Sequence, residues 1–395
     1  MFYPFSHRTN WPLQPNQLIA ALESFREKGV DVIDLTESNP TRCQFLYPDG
    51  PILSSLLDSR NIVYDPLAQG SWDARKAVCE YYQARGTIVE PQRIILTCST
   101  SEAYSFLFRL LVNPGEHIAV GQPSYPLFQY LIELNDAIVD YYSIVYKKKR
   151  WTIDLDSLEQ IVHANTRAII LVNPNNPTGS FLTVQELAKL NDLCQKYKIA
   201  LISDEVFADY AFGPRADRVN SLINNQGPLS FSLGGISKAL GLPQMKLSWI
   251  VLNGEQDVMK EALKRLEIIA DTYLSVNTPS QNALKDWLSL APHIQNMIRE
   301  RVMTNWNVLK QSVAAFGLCE IFDCEGGWYA ILKLPSAHNE EEWVMNLLAK
   351  DHVLVYPGYF FDFKEEPYIV LSLLPETKRF QNGLTKIFKR IKANS

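Results

Sequence analysis

The stretch "RAIILVNPNNPTGSFLTVQELAKLNDLCQKYKIALISDEV", Arg167 to Val206, contains a whole strand–helix–strand unit. "RAIILVNP" is a continuous apolar run closed by asparagine and proline. "TVQELAKLNDLCQKYK" spaces its leucines at helical intervals. "IALISDEV" is apolar again until its two carboxylates. Strands apolar on both faces, joined through a helix, belong to a parallel sheet covered on both sides.

The same alternation continues in both directions. Upstream, "RIILTCS", "HIAVGQP" and "AIVDYYSIV" read as strands, and "SEAYSFLFRLL", "YPLFQYLIEL" and "DLDSLEQIV" as helices. Downstream, "LSFSLGG" and "KLSWIVLN" are further strands. The expected class is α/β: a three-layer α/β/α large domain with a mostly parallel sheet. After Asn253 the pattern changes to a long helix from Gln256 to about Tyr273, then "PHIQNMIRERVMTNWNVLKQSVAAF". The strand "GWYAILKL", helix "EEEWVMNLLAK", strands "HVLVYP" and "YIVLSLL" and a basic terminal helix follow. These describe a smaller α+β domain. Residues 1–45 carry little core of their own and join it as an N-terminal arm. The expected division is 46–280 for the large domain, and 1–45 with 281–395 for the small one.

The bulk numbers narrow the function. The chain has 395 residues, 47% of them apolar, and a net charge of −5. Its one basic run, "YKKKRW" (Tyr146 to Trp151), reads as a solvated turn before a helix. Nucleic acid is therefore not an expected partner. The six cysteines form no CxxC and the six histidines no HExxH, so neither a metal site nor a disulfide framework is indicated. No charged n-region with an apolar stretch opens the chain, and no apolar run of about 20 residues occurs. A cytoplasmic protein is expected.

Ligands of open α/β sheets bind at the carboxyl ends of the strands. "TCSTSEAYS" places Ser99 and Thr100 where a strand opens a helix, a site for a phosphate or simply for an N-cap. "GQPSYPLF" offers Tyr125, which could cover a flat ring or pack on the next helix. "LVNPNNPTGS" places Asn176 at the head of a stiff turn. "LISDEVFADY" leaves Asp204 in an apolar stretch, where it caps a helix or needs a cation to offset desolvation. "SFSLGGISKALGLPQMK" carries Lys238 in a loop poor in charge, either solvated or kept for its amine. Together these groups are the inventory for pyridoxal 5'-phosphate, whose ring is an electron sink.

In this respect the chain resembles the fold-type I pyridoxal-phosphate enzymes, aminotransferase class I/II. The likeness runs in order through "YDPLAQGSWDARKAV", with Tyr64 and Gly70, then "NPNNPTG", "DEVFADY" and "SK". Asn176 and Asp204 are 204 − 176 = 28 residues apart, and Asp204 and Lys238 are 34 apart, spacings typical of the family. The resemblance implies that Lys238 is the Schiff-base lysine and the acid/base of the proton shift. It implies that Asp204 partners the pyridine nitrogen, Asn176 the phenolic oxygen and Tyr125 the ring face. Ser99 and Thr100 would hold the phosphate. Tyr64 would reach the phosphate of a neighbouring subunit, which implies a homodimer with shared sites.

Four positions depart from the family pattern. Phe207 stands where a tyrosine is usual, and Gly235 where serine is frequent. Lys246 replaces a phosphate-binding arginine, giving a point charge without the bidentate fork. Val370 replaces the arginine that grips the substrate carboxylate. Ser38 and Arg42, in "ESNPTR", are the candidate substrate residues, with Arg42 a candidate replacement cation. The aromatic run "GYFFDF" is expected near the substrate entrance or in the core. The function implied is an aminotransferase moving an amino group between an amino acid and a 2-oxo acid. A β-lyase or decarboxylase on the same cofactor, and a non-catalytic cofactor-binding protein, are the alternatives.

Overall fold

The computed structural model describes residues 3–364 and 367–394. Its centre is an eight-stranded sheet: β1 (Ile94–Thr97), β2 (His117–Gln122), β3 (Ile138–Lys147), β4 (Arg150–Ile153), β5 (Thr166–Val172), β6 (Ala200–Asp204), β7 (Ser230–Gly235) and β8 (Ser248–Asn253). The strand order is β1-β8-β7-β6-β5-β2-β3-β4. The middle of the sheet is parallel. β8 pairs antiparallel with both β7 and β1, and β4 antiparallel with β3. β8 turns back because the loop holding Lys238 joins it to β7 without a covering crossover helix, and such a link favours the antiparallel partner.

Alternate residues of each strand face opposite helical layers. Ile95, Val120, Ile170 and Ile202 pack with the helices Thr100–Leu111 and Gln256–Tyr273. Ala119, Ile169, Leu171 and Leu201 face the other side, against Leu190 and Leu193 of helix Val184–Tyr197. That helix starts where Thr183 and Glu186 cap each other's backbone N–H groups, a reciprocal arrangement that satisfies two orphan donors. The result is the three-layer α/β/α unit expected from Arg167–Val206.

The second unit has a four-stranded antiparallel sheet of β9 (Glu320–Ile321), β10 (Tyr329–Lys333), β11 (Tyr356–Pro357) and β12 (Tyr368–Ser372), ordered β9-β10-β12-β11. Near the N-terminus, Ile33–Asp34 pairs in parallel with Val353–Leu354. The stretch read as one strand, "HVLVYP", therefore serves two sheets and changes partner at Val355. A continuous apolar cluster joins the units, from Val78 and Trp249 through Leu240 and Trp287 to Ile298, Trp343 and Leu371.

Other details differ from the sequence expectations. The helix expected from Tyr125 begins at Phe128, because Pro126 disfavours helical backbone at the residue before it. "YKKKRW" forms the tip of the β3–β4 hairpin, with Lys148 and Lys149 at positive φ. A helix not foreseen, Thr278–Ser289, starts on an Asn277 cap, and the expected boundary at 280 falls inside it. It docks on the large unit: Gln281 Oε1 accepts from the Ser71 N–H at 2.6 Å, and Trp287 Nε1 donates to the Ile52 carbonyl at 3.0 Å. Among the described residues no helix is long and apolar enough to cross a membrane.

Candidate active site

Most of the expected residues lie at or just beyond the carboxyl ends of β1, β2, β5, β6 and β7. Asp204 closes β6 and is buried. Its Oδ2 accepts from the Tyr104 hydroxyl at 3.1 Å and its Oδ1 from the Val206 N–H at 3.1 Å. Burial pushes this carboxyl up to about 6, against the pull of those hydrogen bonds and of the Lys238 charge. A cap on a following helix is not its role. Lys238 sits in the short helix Ile236–Ala239 after β7, with its carbonyl held by the Tyr210 hydroxyl at 2.8 Å. Its Nζ lies 5.8 Å from the Phe207 ring centroid and 5.7 Å from that of Trp328. Burial lowers the basicity of this amine, and Asp204 partly restores it.

The other loops bring in smaller groups. Asn176 is buried, and its side-chain oxygen has no hydrogen-bond partner. The turn beneath it is tight: at Gly179, φ is +68° and an added Cβ would stand 2.4 Å from the Gly326 carbonyl oxygen, so only glycine fits there. Ser99 caps helix Thr100–Leu111, its Oγ accepting from the Glu102 N–H at 3.1 Å. Thr100 is the first residue of that helix, where backbone N–H groups lack helical partners. The Lys246 charge acts on the neighbouring Cys98 thiol, which places the lysine at the same strand end. Tyr125 packs edge-on against Phe128 at 5.7 Å, and its hydroxyl feels the Asp204 charge.

Not every expected residue joins this group. Tyr64 is 75% exposed. Arg42 is exposed at the end of the turn Pro40–Arg42, without an ion pair to any described residue. Ser38 is half-buried near the hydroxyls of Tyr329 and Tyr356. In the aromatic run, Phe361 packs 6.1 Å from Tyr329 and 5.7 Å from Tyr356, whereas Phe363 turns away to Trp151 and Tyr368. Val370 is fully buried on β12 opposite Tyr356 and Ile331.

The structure accounts for Gly235. It lies opposite Ser248 across the β7–β8 pair. A Cβ on residue 235 would come within 2.2 Å of the Ser248 Oγ. The hydroxyl that a serine at 235 would bring is already present, delivered from the next strand. Sequence reasoning also missed Tyr104, Trp328, Tyr329 and Tyr356. Tyr104 carried only the apolar spacing of its helix, and "GWYAILKL" read as a strand without special aromatics.

Residues 57–378 match the family model described as aminotransferase class I and II. The chain belongs to that family. This aminotransferase is similar to the glutamate-pyruvate aminotransferase of Haemophilus influenzae, 26% identical over 91% of each chain. It is also similar to the tyrosine aminotransferase of Homo sapiens, 23% identical over 93% of this chain and 85% of the relative. Among solved structures, alanine aminotransferase from Pyrococcus furiosus superposes with a TM-score of 0.86 at 21% identity, covering 95% of this chain and 96% of the other. An aspartate aminotransferase mutant from Thermus thermophilus gives 0.85 at 20% identity, covering 99% and 100%.

The aminotransferase family is pyridoxal-phosphate-dependent and of fold type I, and its members act on amino acids and oxo acids. The residues present fit that cofactor. The Asn176 oxygen is buried without a hydrogen-bond partner, and burial lowers the basicity of Lys238 and raises the pKa of Asp204, so both polar ends of the site suit a polar ring ligand. Kinship favours amino-group transfer over the lyase, decarboxylase and non-catalytic readings.

Proposed function

We propose that this aminotransferase works through Lys238, with Asp204, Asn176, Tyr125, Ser99, Thr100 and Lys246 holding pyridoxal 5'-phosphate. One arrangement carries this reading: a lysine amine held between the Phe207 and Trp328 rings, within the field of the buried Asp204 carboxylate. When bound, the cofactor supplies an electron sink for the pair released at the substrate carbon. A neutral Lys238 amine is nucleophilic, and it can take a proton at Nζ and return it nearby. Asp204 costs stability while it is buried without a cation. A protonated ring nitrogen would offset that cost and keep the carboxylate ionised. The Tyr104 hydroxyl orients it. Ser99, the N-terminal turn beginning at Thr100, and Lys246 form one electropositive corner for a phosphate. The Ser248 hydroxyl stands in for a serine at 235.

The same reading includes a homodimer with shared sites, Tyr64 reaching the partner's phosphate. Support comes from exposed apolar groups: Leu57 at 84%, Ile62 at 90%, Tyr64 at 75% and Ile268 at 71%. It includes a cytoplasmic location, in keeping with six free cysteines. It keeps the two-domain division but moves the expected boundary from 280 to the end of helix Thr278–Ser289, so that this helix falls whole in the large unit. The test is borohydride reduction of the loaded enzyme followed by peptide mapping. The label is expected on Lys238. A label on Lys246, or no label, would overturn the assignment.

A further inference from the structure

A lysine amine stands at the end of a long, flexible side chain, so its place depends on how firmly the backbone beneath it is held. The helix Ile236–Ala239 is four residues long, far below the length at which a helix sustains itself. Within this turn the Ile236 carbonyl accepts from the N–H groups of Leu240 and Leu242, both at 3.1 Å, and the Lys238 carbonyl from the Gly241 N–H at 3.1 Å. Three side chains from distant segments then grip the carbonyls of the turn and its exit. The Tyr210 hydroxyl, on the turn Ala208–Tyr210, donates to the Lys238 carbonyl at 2.8 Å. Gln295, on the helix Ala291–Phe316, donates through Nε2 to the Ala239 carbonyl at 3.0 Å. The Tyr47 hydroxyl donates to the Gly241 carbonyl at 2.9 Å. The exit is also closely packed: a Cβ on residue 241 would stand 2.4 Å from the Tyr47 hydroxyl oxygen, 3.1 Å from the Ile298 Cδ1 and 3.2 Å from the Pro40 Cγ.

Gln295 is the most constrained of the three. It is buried, and its Oε1 accepts from the Arg85 Nη2 at 2.8 Å. A guanidinium only donates, so the amide oxygen must face Arg85. Both Nε2 hydrogens are then turned to the Ala239 carbonyl and, at 3.3 Å, to the Tyr81 hydroxyl oxygen. Arg85 is itself fixed, paired with Asp209 at 2.9 Å and lying over the Tyr81 ring at 3.6 Å from its centroid. The Tyr81 hydroxyl donates to the same Asp209 at 2.5 Å. Asp209 directly precedes Tyr210, so this cluster also holds the turn that presents the Tyr210 hydroxyl. We propose that Tyr47, Tyr210 and Gln295 are positioning residues for the Lys238 amine, acting through its backbone and not on the cofactor or substrate. This inference rests on Lys238 being the reactive amine. The step they serve joins the amine nitrogen to the aldehyde carbon of pyridoxal 5'-phosphate with loss of one water, and nothing is oxidised or reduced. A misplacement of about 1 Å at a reacting atom can cost roughly 100-fold in rate. Gln295→Glu keeps the size of the side chain and its contact with Arg85, which holds the new carboxyl ionised. It sets a carboxylate oxygen against the Ala239 carbonyl oxygen, so that the grip becomes a repulsion.

The test separates holding the lysine from holding the cofactor. Cofactor-free protein is mixed with pyridoxal 5'-phosphate, and the rate of linkage to Lys238 is followed by absorbance. Pyridoxamine 5'-phosphate, which has no aldehyde and forms no linkage, is bound in parallel by equilibrium dialysis. Gln295→Glu is expected to slow linkage about tenfold or more while moving the dissociation constant of pyridoxamine 5'-phosphate less than about twofold. Tyr47→Phe deletes only a half-buried hydroxyl and should slow linkage by roughly three- to tenfold, the worth of one hydrogen bond, with the same unchanged dialysis result. Where Gln295→Glu does not fold, Tyr47→Phe decides alone. Linkage at the wild-type rate would overturn the proposal. So would a parallel loss of affinity for pyridoxamine 5'-phosphate, which would make these residues supports of the whole site and not of the lysine. Both of those outcomes leave borohydride labelling Lys238 in the wild-type enzyme. A wild-type label elsewhere, or none, means that the assignment of Lys238 has failed, and this inference falls with it.

Discussion

Gly235→Ala tests whether Ser248 has taken the place of a side chain at 235. The new Cβ would stand 2.2 Å from the Ser248 Oγ, 2.9 Å from its Cβ and 3.2 Å from its Cα. Unstrained carbon contacts begin near 3.5 Å. Rotating the serine hydroxyl removes the first clash but leaves the other two, so the β7–β8 pair must spread. Both strands are wholly buried, and overpacking of such cores costs about 1–3 kcal/mol. The upper end is expected here, because the obstacle includes backbone. Ser248→Gly removes the obstructing atoms. Gly235→Ser combined with Ser248→Gly moves the hydroxyl from one strand to the other. Denaturant unfolding of Gly235→Ser, Ser248→Gly and the double variant gives the coupling, expected at about 2 kcal/mol in favour of the double. Equilibrium dialysis should show the double variant keeping cofactor affinity better than Ser248→Gly alone. A cost below about 0.5 kcal/mol for Gly235→Ala, which is the range of ordinary surface substitutions, would refute the steric reasoning. So would strictly additive single effects.

Three further outcomes follow from the site. Tyr104→Phe removes the 3.1 Å hydrogen bond to Asp204; a bond to a charged group contributes about 1.5–3 kcal/mol, so cofactor affinity should fall roughly 10- to 100-fold by dialysis, and unchanged affinity would remove Tyr104 from the site. Burial raises the Glu205 carboxyl from 4.5 to about 7. The folded state thus holds this proton more tightly than the unfolded chain, and the stability it confers is full below pH 4.5 and lost as pH rises towards 7. The loss is about 3 kcal/mol for a shift of this size. Glu205→Gln should flatten this decline in the cofactor-free protein, and an unaltered pH profile would show that Glu205 is not its source. Phe207→Tyr should supply a hydrogen bond to the cofactor's ring oxygen and lower the pKa of the Lys238 linkage, read by absorbance during a pH titration; an equal or higher value in the tyrosine variant would place residue 207 away from that oxygen.

The legible part of the site is the part that is local in sequence. Asp204, Asn176, Ser99 and Lys238 each end or follow a strand, and the strand pattern alone located them. Tyr104 escaped because its hydroxyl reaches Asp204 from the neighbouring layer, across 100 residues of chain. Ser248 escaped because only strand register sets it against Gly235. Tyr329, Tyr356 and Ser38 come together from three distant segments, and no spacing rule links them. The fold shows the same division. The repeating strand and helix periods revealed the central sheet. They did not reveal the switch of partner at Val355 or the helix Thr278–Ser289, which is anchored by hydrogen bonds to Ser71 and Ile52, more than 200 residues away in the chain.

The pairing of Ile33–Asp34 with Val353–Leu354 orders events during synthesis. The eight strands of the large sheet lie between residues 94 and 253, so that sheet can assemble while the last third of the chain is still on the ribosome. The segment carrying Thr36, Glu37 and Ser38 cannot be fixed then. Its flanking backbone bonds are to His352, Leu354 and Ser372. The nascent protein therefore fixes the strand ends of the large sheet first and the segment Thr36–Ser38 last. A ribosome stalled before residue 353 would display the large sheet with that N-terminal segment still without its strand partner.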